Sequence, residues 1–463
     1  MKITINRSIL KQYLLITLAT VCLLFIIIGI ILWVQDPSWD NLVEFLPQII
    51  FSLIKKPLFW LVVSTPFLLL SLIRYNIRRF KSKGVRAGLT SLAKTVLAPS
   101  AFLFILVIAI RWYTTAEVLH FTPDPLVLNP NAQTNQYSMQ DGKLRAVHLF
   151  GIRNVTADTW KELIAANIEQ LIIVPFAYQE DIDTPEIKSS IFDRNRLRSR
   201  DSVIVNLRDK AERYGIQLII KPHLWINNPS GGKWRGDLAM NSEEEWLIWE
   251  DRYRKYILHY AQLCEQINSP VFCIGNEFYE STTHRTAFWE DLILKVRAVY
   301  TGKITYGANW DREVEAITFW DQLDYIGIQA YYPLTGSDEP EKEEIKQGWQ
   351  KHLDTIEKIS QQYNKPVIFT ELGYKSTVDA ARIPWEWESR TGDFFKKISW
   401  STQRKCYEVF FSTVWEKSWF KGAWLWQWRG ESPNTVNPAN RTFSTRKKPA
   451  YEAIARGFGT VIK

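Results

Sequence analysis

From Leu144 onward, short runs of apolar, β-branched and aromatic residues alternate with amphipathic helical patterns. Eight such runs occur, at residues 145–152, 169–178, 216–226, 270–278, 303–310, 323–333, 365–374 and 420–428. Nearly continuous apolar runs separated by helices are typical of buried parallel strands. Because eight strand–helix repeats close a barrel, we predict an α/β fold of the (β/α)8 barrel type over residues 144–463.

An open, doubly wound sheet is the alternative arrangement of alternating strands and helices. Such a sheet usually carries a glycine-rich phosphate-binding loop after its first strand. The sequence after the first run here, FGIRNV, is no such loop, and this favours the barrel.

The N-terminal region is apolar in a different way. Residues 13–34 form an almost unbroken apolar run, which exceeds the roughly 20 residues that a helix needs to cross a bilayer core. Residues 57–73 and 95–113 are two further apolar segments. The segment at 57–73 could begin earlier, with residues 45–54. We therefore predict a membrane region over 1–113 with about three transmembrane helices. Turn-forming residues over 114–143 predict a linker.

The formal charge of +8 is concentrated beside these apolar segments. Basic residues precede the first segment and follow the second, at Lys2, Arg7, Lys11, Arg74, Arg78, Arg79, Lys81, Lys83 and Arg86. The positive-inside rule then places the N-terminus and the second loop in the cytoplasm. This predicts a multi-pass protein of the cell membrane, with the barrel on the extracytoplasmic side. The expected partner of the basic residues is the lipid bilayer, and no nucleic acid is expected as a partner. If the second segment were a buried soluble helix, the barrel would be cytoplasmic.

The cysteines and histidines give no sign of a metal site. The four Cys are scattered without a CxxC pair, and the six His show no HExxH motif. We therefore expect no disulfide framework, no metal and no cofactor.

Polar and aromatic residues follow the apolar core of most of the predicted strands. Barrel active sites lie at these C-terminal strand ends. The candidates for substrate contacts are His223, Trp225, Asn276, Asn309, Trp310, Tyr331, Tyr332, Trp426 and Trp428. The set at the strand ends also includes Glu277, Glu371 and, without an assigned role, Lys221 and Gln329. Glu277 and Glu371 are the two carboxylates among them, and such a pair predicts general acid/base and nucleophilic chemistry.

Several of these segments resemble known enzymes. IGNEF (274–278) and TELGY (370–374) resemble the strand-four and strand-seven signatures of the large clan of retaining (β/α)8 glycosidases. With KPHLW (221–225), YIGIQAYYP (325–333), GAWLWQW (422–428) and STRKKPAYEAI (444–454), the set resembles glycoside hydrolase family 113. Characterised members of that family are retaining β-1,4-mannanases. The resemblance covers roughly residues 144–460 and leaves out the membrane region.

The resemblance implies a role for individual residues. Glu277 matches the acid/base, Glu371 the nucleophile, and Asn276 the residue that binds the sugar 2-OH. Tyr331, or its neighbour Tyr332, matches the tyrosine that hydrogen-bonds the nucleophile. Trp426 or Trp428 matches the platform under the cleaved sugar, and both are expected on one face by strand alternation. His223 and Trp225 match the strand-three wall. Lys221 receives no role, and Trp234 and Arg235 are either outer sugar contacts or part of a solvated loop.

Together these features predict a membrane-anchored retaining glycoside hydrolase. Its expected substrate is a β-linked polysaccharide or oligosaccharide, of the β-1,4-mannan type by resemblance, cleaved by double displacement with two Glu. Another β-glycan, such as a glucan, a galactan or a surface polysaccharide, is the nearest alternative. A non-catalytic, membrane-anchored glycan-binding protein is a second alternative, against which the presence of both carboxylates argues.

Overall fold

A computed structural model describes residues 11–22, 57–119, 134–388, 393, 396–432 and 435–462. The chain divides into two compact units, Met1–Ile110 and Arg111–Lys463.

The second unit contains the predicted barrel. Its strands are Leu144–Phe150 (β1), Gln170–Ile173 (β2), Phe176–Gln179 (β3), Gln217–Ile220 (β4), His223–Ile226 (β5), Val271–Asn276 (β6), Lys303–Asn309 (β7), Tyr325–Gln329 (β8), Val367–Leu372 (β9) and Phe420–Arg429 (β10). Eight of them close a parallel barrel in the order β1, β10, β9, β8, β7, β6, β4 and β2. The (β/α)8 prediction is confirmed.

Prolines explain why β3 and β5 stand apart from the barrel. Pro175 separates β2 from β3, and Pro222 separates β4 from β5. A proline has no N–H to donate to the ladder, so regular pairing is interrupted at each position. Beyond the prolines, β3 and β5 pair in parallel with each other, which places His223 opposite Phe176. The second and third sequence runs therefore each supply one barrel strand and one short strand beyond it.

Helices connect the strands. Besides a helix over 11–22, the α-helices of the described residues are Pro57–Leu92 (α1), Ala98–Leu119 (α2), Ser138–Asp141 (α3), Ala157–Ala165 (α4), Arg194–Glu212 (α5), Glu243–Gln266 (α6), Tyr279–His284 (α7), Thr286–Arg297 (α8), Glu313–Ala316 (α9), Lys342–Tyr363 (α10), Trp400–Thr413 (α11) and Pro449–Phe458 (α12). Helix α10 shows how they pack, because it buries Ile345, Trp349, Leu353 and Ile356 at helical spacing along one stripe.

The inside of the barrel is divided into an apolar lower part and a polar upper part. Apolar residues form one buried cluster toward the beginning of the strands, with Ala146, Ile172, Ile219, Cys273, Ile368 and Trp424 among its members. Polar residues follow it on several strands, as at His148 and Lys221, which are fully buried. The apolar layer closes the barrel, so the polar side chains above it are reached from the C-terminal strand ends.

The region predicted as a linker is structured at both ends. Helix α2 continues through Leu119. At the other end, the amide of Thr134 donates to the carbonyl of Tyr214 at 3.1 Å, and the Glu169 carboxylate accepts from the amide of Ser138 at 3.0 Å. Residues 134–143 therefore pack within the barrel unit, because their backbone polar groups find partners there. Residues 120–133 lie outside the described residues.

The first unit contains helical segments of the predicted membrane region. Of the first predicted span, residues 13–22 lie in a described helix over 11–22, and 23–34 lie outside the described residues. Among the described residues, one helical stretch, Ser64–Thr115, is long and apolar enough to cross a bilayer by length and composition. It includes most of the second predicted span and all of the third.

This helical stretch is not straight, because it bends at Gly84. Gly84 has φ +80° and ψ 173°, a conformation that interrupts the helix and that glycine adopts without steric cost. The side-chain amide of Asn76 donates to the hydroxyl of Thr95 at 3.0 Å. In a straight helix, residues 19 positions apart would be separated by about 28 Å. The chain therefore folds back at Gly84, and the segments on either side of it form a helical hairpin.

Candidate active site

A cavity of about 760 Å³ opens at the C-terminal ends of the barrel strands. Its lining includes eight of the predicted site residues, namely His223, Trp225, Glu277, Asn309, Trp310, Tyr331, Glu371 and Trp426, together with Gln329 at the end of β8. Residues from the connecting segments complete it, among them Trp234, Arg235, Trp385 and Trp387. Both predicted carboxylates thus face one cavity.

Glu371, near the end of β9, is held by donors on several strands. The ammonium group of Lys221 lies 2.5 Å from its Oε1, and the hydroxyl of Tyr331 donates to its Oε2 at 2.8 Å. The Lys221 side chain is fully buried and that of Glu371 is 7% exposed. Charge-assisted hydrogen bonds from fixed donors hold a carboxylate in one orientation. Glu371 is therefore a pre-oriented carboxylate.

Gln329, at the end of β8, connects Glu371 to Asn276. With its side-chain amide oriented to satisfy its neighbours, Gln329 donates from Nε2 to both carboxylate oxygens of Glu371, at 2.7 and 2.8 Å. Its Oε1 accepts from the Nδ2 of Asn276 at 3.2 Å. The Oδ1 of Asn276 is buried and has no hydrogen-bond partner among the described residues. Asn276 therefore lies directly beside the polar cluster, with one acceptor unused.

Glu277 follows the last residue of β6. Its amide donates to the carbonyl of Gly307 at 3.0 Å, and its φ is +58°. Such a conformation is uncommon in residues other than glycine and is concentrated at functional sites. The side-chain amide of Asn309, at the end of β7, donates to Oε1 of Glu277 at 2.9 Å. Neighbouring strand ends therefore fix both the backbone and the carboxyl group of Glu277.

The pKa of Glu277 is raised above its ordinary value of 4.5. Burial is the main cause, because it disfavours the charged form, and the negative charge of Glu371 raises the pKa further. The cation of Arg235, whose Nη1 is 3.9 Å from Oε2, opposes the shift, as does the hydrogen bond from Asn309. Two carboxyl groups on one cavity thus differ in environment, which is the arrangement that separates an acid from a nucleophile.

Behind Asn309 lies a further carboxyl group that the sequence analysis did not single out. Glu313 accepts a hydrogen bond from the amide of Asn309 at 2.7 Å and another from the hydroxyl of Tyr306 at 2.8 Å. Burial raises the pKa of Glu313 to about 8. Glu313 does not line the cavity, so it supports the position of Asn309 from behind.

His223 is a neutral imidazole at this site. Its Nε2 is 3.7 Å from Oε1 of Glu371, a distance too long for a hydrogen bond. Burial and the nearby ammonium of Lys221 lower the pKa of His223 well below 6.5. Its ring is parallel to that of Trp426, with the centroids 6.5 Å apart. His223 and Trp426 therefore form part of the wall next to Glu371 without adding a charge.

The upper walls of the cavity are aromatic. Trp385 stacks on Trp310 with ring centroids 5.7 Å apart. Trp387 contacts Trp225 at 6.4 Å and Trp426 at 5.8 Å. Trp385 and Trp387 both come from the segment after β9, so one segment touches the ends of β5, β7 and β10. Such indole surfaces offer apolar faces to a ligand that also carries polar groups.

Two predicted aromatic residues lie outside the cavity. Trp428 is 2% exposed and packs against Tyr451 of α12, with ring centroids 5.9 Å apart. The reason is an irregularity in the β1–β10 pairing. Val147 pairs with Leu425 and Leu149 pairs with Trp428, so β10 has one more residue than β1 between the two pairs. This bulge breaks the alternation that was expected to keep Trp426 and Trp428 on one face.

Tyr332 is the second of these residues. It is buried between Trp349 and His352 of α10, at centroid distances of 5.7 and 4.5 Å. Its neighbour Tyr331 points into the cavity and reaches Glu371. Tyr332 therefore belongs to the packing between barrel and helix.

Sequence reasoning missed part of the site for identifiable reasons. Lys221 is at a strand end in the sequence, but nothing in the sequence indicates that its ammonium group contacts Glu371. Gln329 is also at a strand end, and the sequence does not indicate a role for it. Trp385 and Trp387 lie in a long connecting segment, and their spacing, PWEWE, was the available signal. The sequence allows Arg235 to be either an outer sugar contact or part of a solvated loop. In the structure its side chain is 19% exposed and lies beside Glu277.

Comparisons with known proteins agree with this geometry. The family model described as Glycoside Hydrolase Family 113 matches residues 152–448. A solved GH113 β-1,4-mannanase is similar with a TM-score of 0.56 and 24% identity, covering 68% of this chain and 99% of its own. A complex structure of a GH113 β-1,4-mannanase has a TM-score of 0.57 and 24% identity, covering 69% of this chain and 99% of its own.

A third similar structure is the GH113 β-mannanase AaManA from Alicyclobacillus acidocaldarius in complex with ManMIm. Its TM-score is 0.56 and its identity 23%, covering 69% of this chain and 98% of its own. No curated protein matches the chain in sequence. At these identities the structures support the barrel fold, whereas the family model, which spans more than half of the chain, establishes the relationship. The prediction of a glycoside hydrolase is confirmed, and the chain belongs to glycoside hydrolase family 113.

Proposed function

We propose that the enzyme hydrolyses β-linked mannosides with retention of configuration, with Glu371 as the nucleophile and Glu277 as the acid/base. The observation that carries the proposal is the difference between the two carboxyl groups. Glu371 is surrounded by donors from Lys221, Tyr331 and Gln329. Glu277, in contrast, has a raised pKa, with loss of solvation as the main cause. A retaining glycosidase needs one group of each kind.

In the first step, an oxygen of Glu371 attacks the anomeric carbon while Glu277 gives its proton to the leaving glycosidic oxygen. The raised pKa keeps Glu277 protonated to a higher pH than an ordinary glutamic acid. The donors around Glu371 keep its carboxylate aimed at one position. The products are a glycosyl ester on Glu371, a released alcohol and a Glu277 carboxylate.

In the second step, the Glu277 carboxylate removes a proton from water, and the water oxygen attacks the anomeric carbon. The ester bond to Glu371 breaks, and both side chains return to their starting forms. The amide of Asn309 donates to Glu277 and stabilises its carboxylate between the steps. Two inversions at one carbon give net retention.

The remaining residues in and beside the cavity are assigned by position. Trp426 and His223 lie on the Glu371 side of the cavity and would contact the sugar whose anomeric carbon is attacked. Asn276, with its unused Oδ1, is the proposed partner of the sugar 2-OH. Trp225 and Trp310, which line the cavity, would bind neighbouring sugar units. The mannoside assignment rests on the family and on the β-mannanase structures that the barrel resembles.

We also propose that the first unit anchors the enzyme in the cell membrane as a multi-pass region, with the barrel outside the cytoplasm. Exposed apolar side chains cover its helices, for example Phe102 at 69% and Phe104 at 66% exposure. In water such a surface is unfavourable, whereas lipid would cover it. The bend at Gly84 lies within the basic segment 74–86, where the positive-inside rule expects a cytoplasmic turn.

The substrate assignment is tested with the full chain in detergent. The enzyme is incubated with β-1,4-mannan, β-1,4-glucan and β-1,4-galactan oligosaccharides of equal length, and the products are separated. We expect the mannan series to be cleaved with the highest kcat/KM. Preferential cleavage of a glucan or galactan would replace the mannoside assignment while leaving the hydrolase assignment in place.

A further inference from the structure

Arg235 is a nearly buried cation on the cavity wall with no hydrogen-bonding partner for its inner nitrogen. Its side chain is 19% exposed, and its Nη1 is buried and makes no hydrogen bond to any of the described residues. The nearest carboxylate oxygen, Oε2 of Glu277, is 3.9 Å from Nη1, which exceeds hydrogen-bond distance. A buried, unpaired donor on a charged group is costly, so an unused one requires an explanation.

The loop that carries Arg235 makes several hydrogen bonds of its own. Asp237 accepts a hydrogen bond from the amide of Trp234 at 3.1 Å, and Asp181 accepts one from the amide of Ser230 at 2.9 Å. A Cβ at Gly236 would lie 2.5 Å from the indole of Trp234, so the ring folds closely over the glycine. The backbone that carries Arg235 is therefore fixed by contacts within its own loop and with Asp181.

The other cations of the cavity region differ from Arg235. Lys221 is paired with Glu371 at 2.5 Å. The side chain of Arg429 is 56% exposed, with Glu388 at 3.9 Å, so water solvates much of it. Asp311, the remaining acidic residue of the lining, is exposed and follows β7. Arg235 is thus a cation of the cavity lining whose Nη1 makes no hydrogen bond to the described residues and whose nearest carboxylate, Glu277, lies beyond hydrogen-bond distance.

We propose that Arg235 binds an anionic substituent on the sugar that leaves the active site, so that the preferred substrate is a β-glycoside of an acidic sugar. Arg235 lies beside Glu277, which in the proposed function protonates the leaving oxygen, and so it faces the leaving-group unit. A planar guanidinium binds a carboxylate or phosphate through two parallel hydrogen bonds. Trp234, 42% exposed and lining the same cavity, offers an indole face to the ring of that sugar.

This inference rests on the proposed function, and its test separates the two. The full chain in detergent is given β-mannosyl-1,4-glucose, the same disaccharide with glucuronic acid in place of glucose, and the same disaccharide with glucose 6-phosphate. The first two differ only at C6, where a carboxylate replaces a hydroxymethyl group. The third distinguishes a phosphate from a carboxylate. 4-Nitrophenyl β-mannoside, which has no anionic leaving sugar, measures the proposed function alone.

We expect kcat/KM for one of the anionic disaccharides to exceed that for the neutral one by at least about tenfold. Arg235→Met should abolish this preference, and Arg235→Lys should restore part of it. The matched control is Lys233→Met, which removes an exposed cation from the same loop and should keep the preference. Each variant is measured at its own pH optimum, because Arg235 also influences Glu277.

Two results would overturn the inference while the proposed function stands. One is equal kcat/KM for all three disaccharides in the wild type. The other is an Arg235→Met variant that loses the same factor on all three and on the nitrophenyl mannoside. If no mannoside is cleaved, the proposed function fails, and the inference about Arg235 is then tested by ligand binding. A rise in the unfolding midpoint with the glucuronic acid disaccharide, present in the wild type and absent in Arg235→Met, would support the inference, and equal rises would refute it.

Discussion

The ammonium group of Lys221 lies 2.5 Å from Oε1 of Glu371, and the two side chains meet inside the barrel. Lys221 directly follows β4, and Glu371 lies on β9, four positions away around the eight-stranded ring. The pair therefore crosses the barrel interior. A buried carboxylate is costly without a partner, and this cation is the partner of Glu371 on the wall of the cavity.

Lys221→Met should lower both stability and activity. Removing one member of a buried pair leaves the other charge uncompensated, which typically costs about 3 kcal/mol or more in the free energy of unfolding. Chemical denaturation of the detergent-solubilised chain measures this change, and Lys233→Met in an exposed loop is the control. An unfolding free energy equal to that of the wild type would show that the pair contributes little to the fold.

Glu371→Gln should abolish hydrolysis and leave substrate binding in place. The amide keeps the shape of the side chain but is a poor nucleophile, so kcat should fall by more than about 10³-fold. The measurement pairs turnover of an aryl β-mannoside with calorimetric binding of a mannooligosaccharide. Glu416→Gln, at an exposed position, serves as the control. Turnover near the wild-type rate would remove Glu371 from the mechanism.

Glu277→Ala should be rescued by azide on activated aryl glycosides. Such substrates need little acid assistance for the first step, and azide replaces the water that Glu277 would have activated. The expected product is a β-glycosyl azide, identified by NMR, with a rate that rises with azide concentration. An α-glycosyl azide would contradict the two-step mechanism.

The alkaline limb of the pH–rate profile should report Glu277. Hydrolysis needs its protonated form, so kcat/KM should fall as pH rises through its raised pKa. Asn309 donates to the carboxylate and thereby lowers that pKa. Asn309→Ala should therefore move the alkaline limb to higher pH, by about half a unit to one unit. A limb that stays in place or moves to lower pH would contradict the assignment of Glu277 as the acid.

Reporter fusions should locate the ends of the apolar segments. A periplasmic-type reporter fused after residue 113 should be active, and the same reporter inserted at Gly84 should be inactive, because the basic segment around Gly84 is expected on the cytoplasmic side. A cytoplasmic-type reporter should give the opposite pattern. Activity of the cytoplasmic reporter after residue 113 would overturn the proposed orientation.

Much of the barrel could be predicted from the chain alone because its signals are local. Each buried parallel strand is a short apolar run, and each surface helix is an amphipathic stretch, so counting the repeats predicts closure. The two carboxylates could be located in the same way, because Glu277 and Glu371 each come at the end of such a run. Their convergence on one cavity follows from the fold, since the strands of a barrel end at one rim.

The assignments that depended on side-chain direction were less secure. Strand alternation placed Trp426 and Trp428 on one face, but the bulge between β1 and β10 turns Trp428 toward α12. Tyr331 and Tyr332 are adjacent in sequence, and only their surroundings separate the one that reaches Glu371 from the one packed on α10. A bulge arises from pairing with another strand, so the sequence of one strand does not reveal it.

The sequence by itself therefore determined the repeat pattern, the apolar N-terminal segments and the two acidic strand ends, because each is written in neighbouring residues. Only the tertiary structure decided which groups surround those acids. Lys221 reaches Glu371 across the barrel, and Arg235 comes beside Glu277 from a separate loop. Such contacts join residues far apart in the chain. The chemistry that distinguishes Glu277 from Glu371 thus depends on the closure of the barrel.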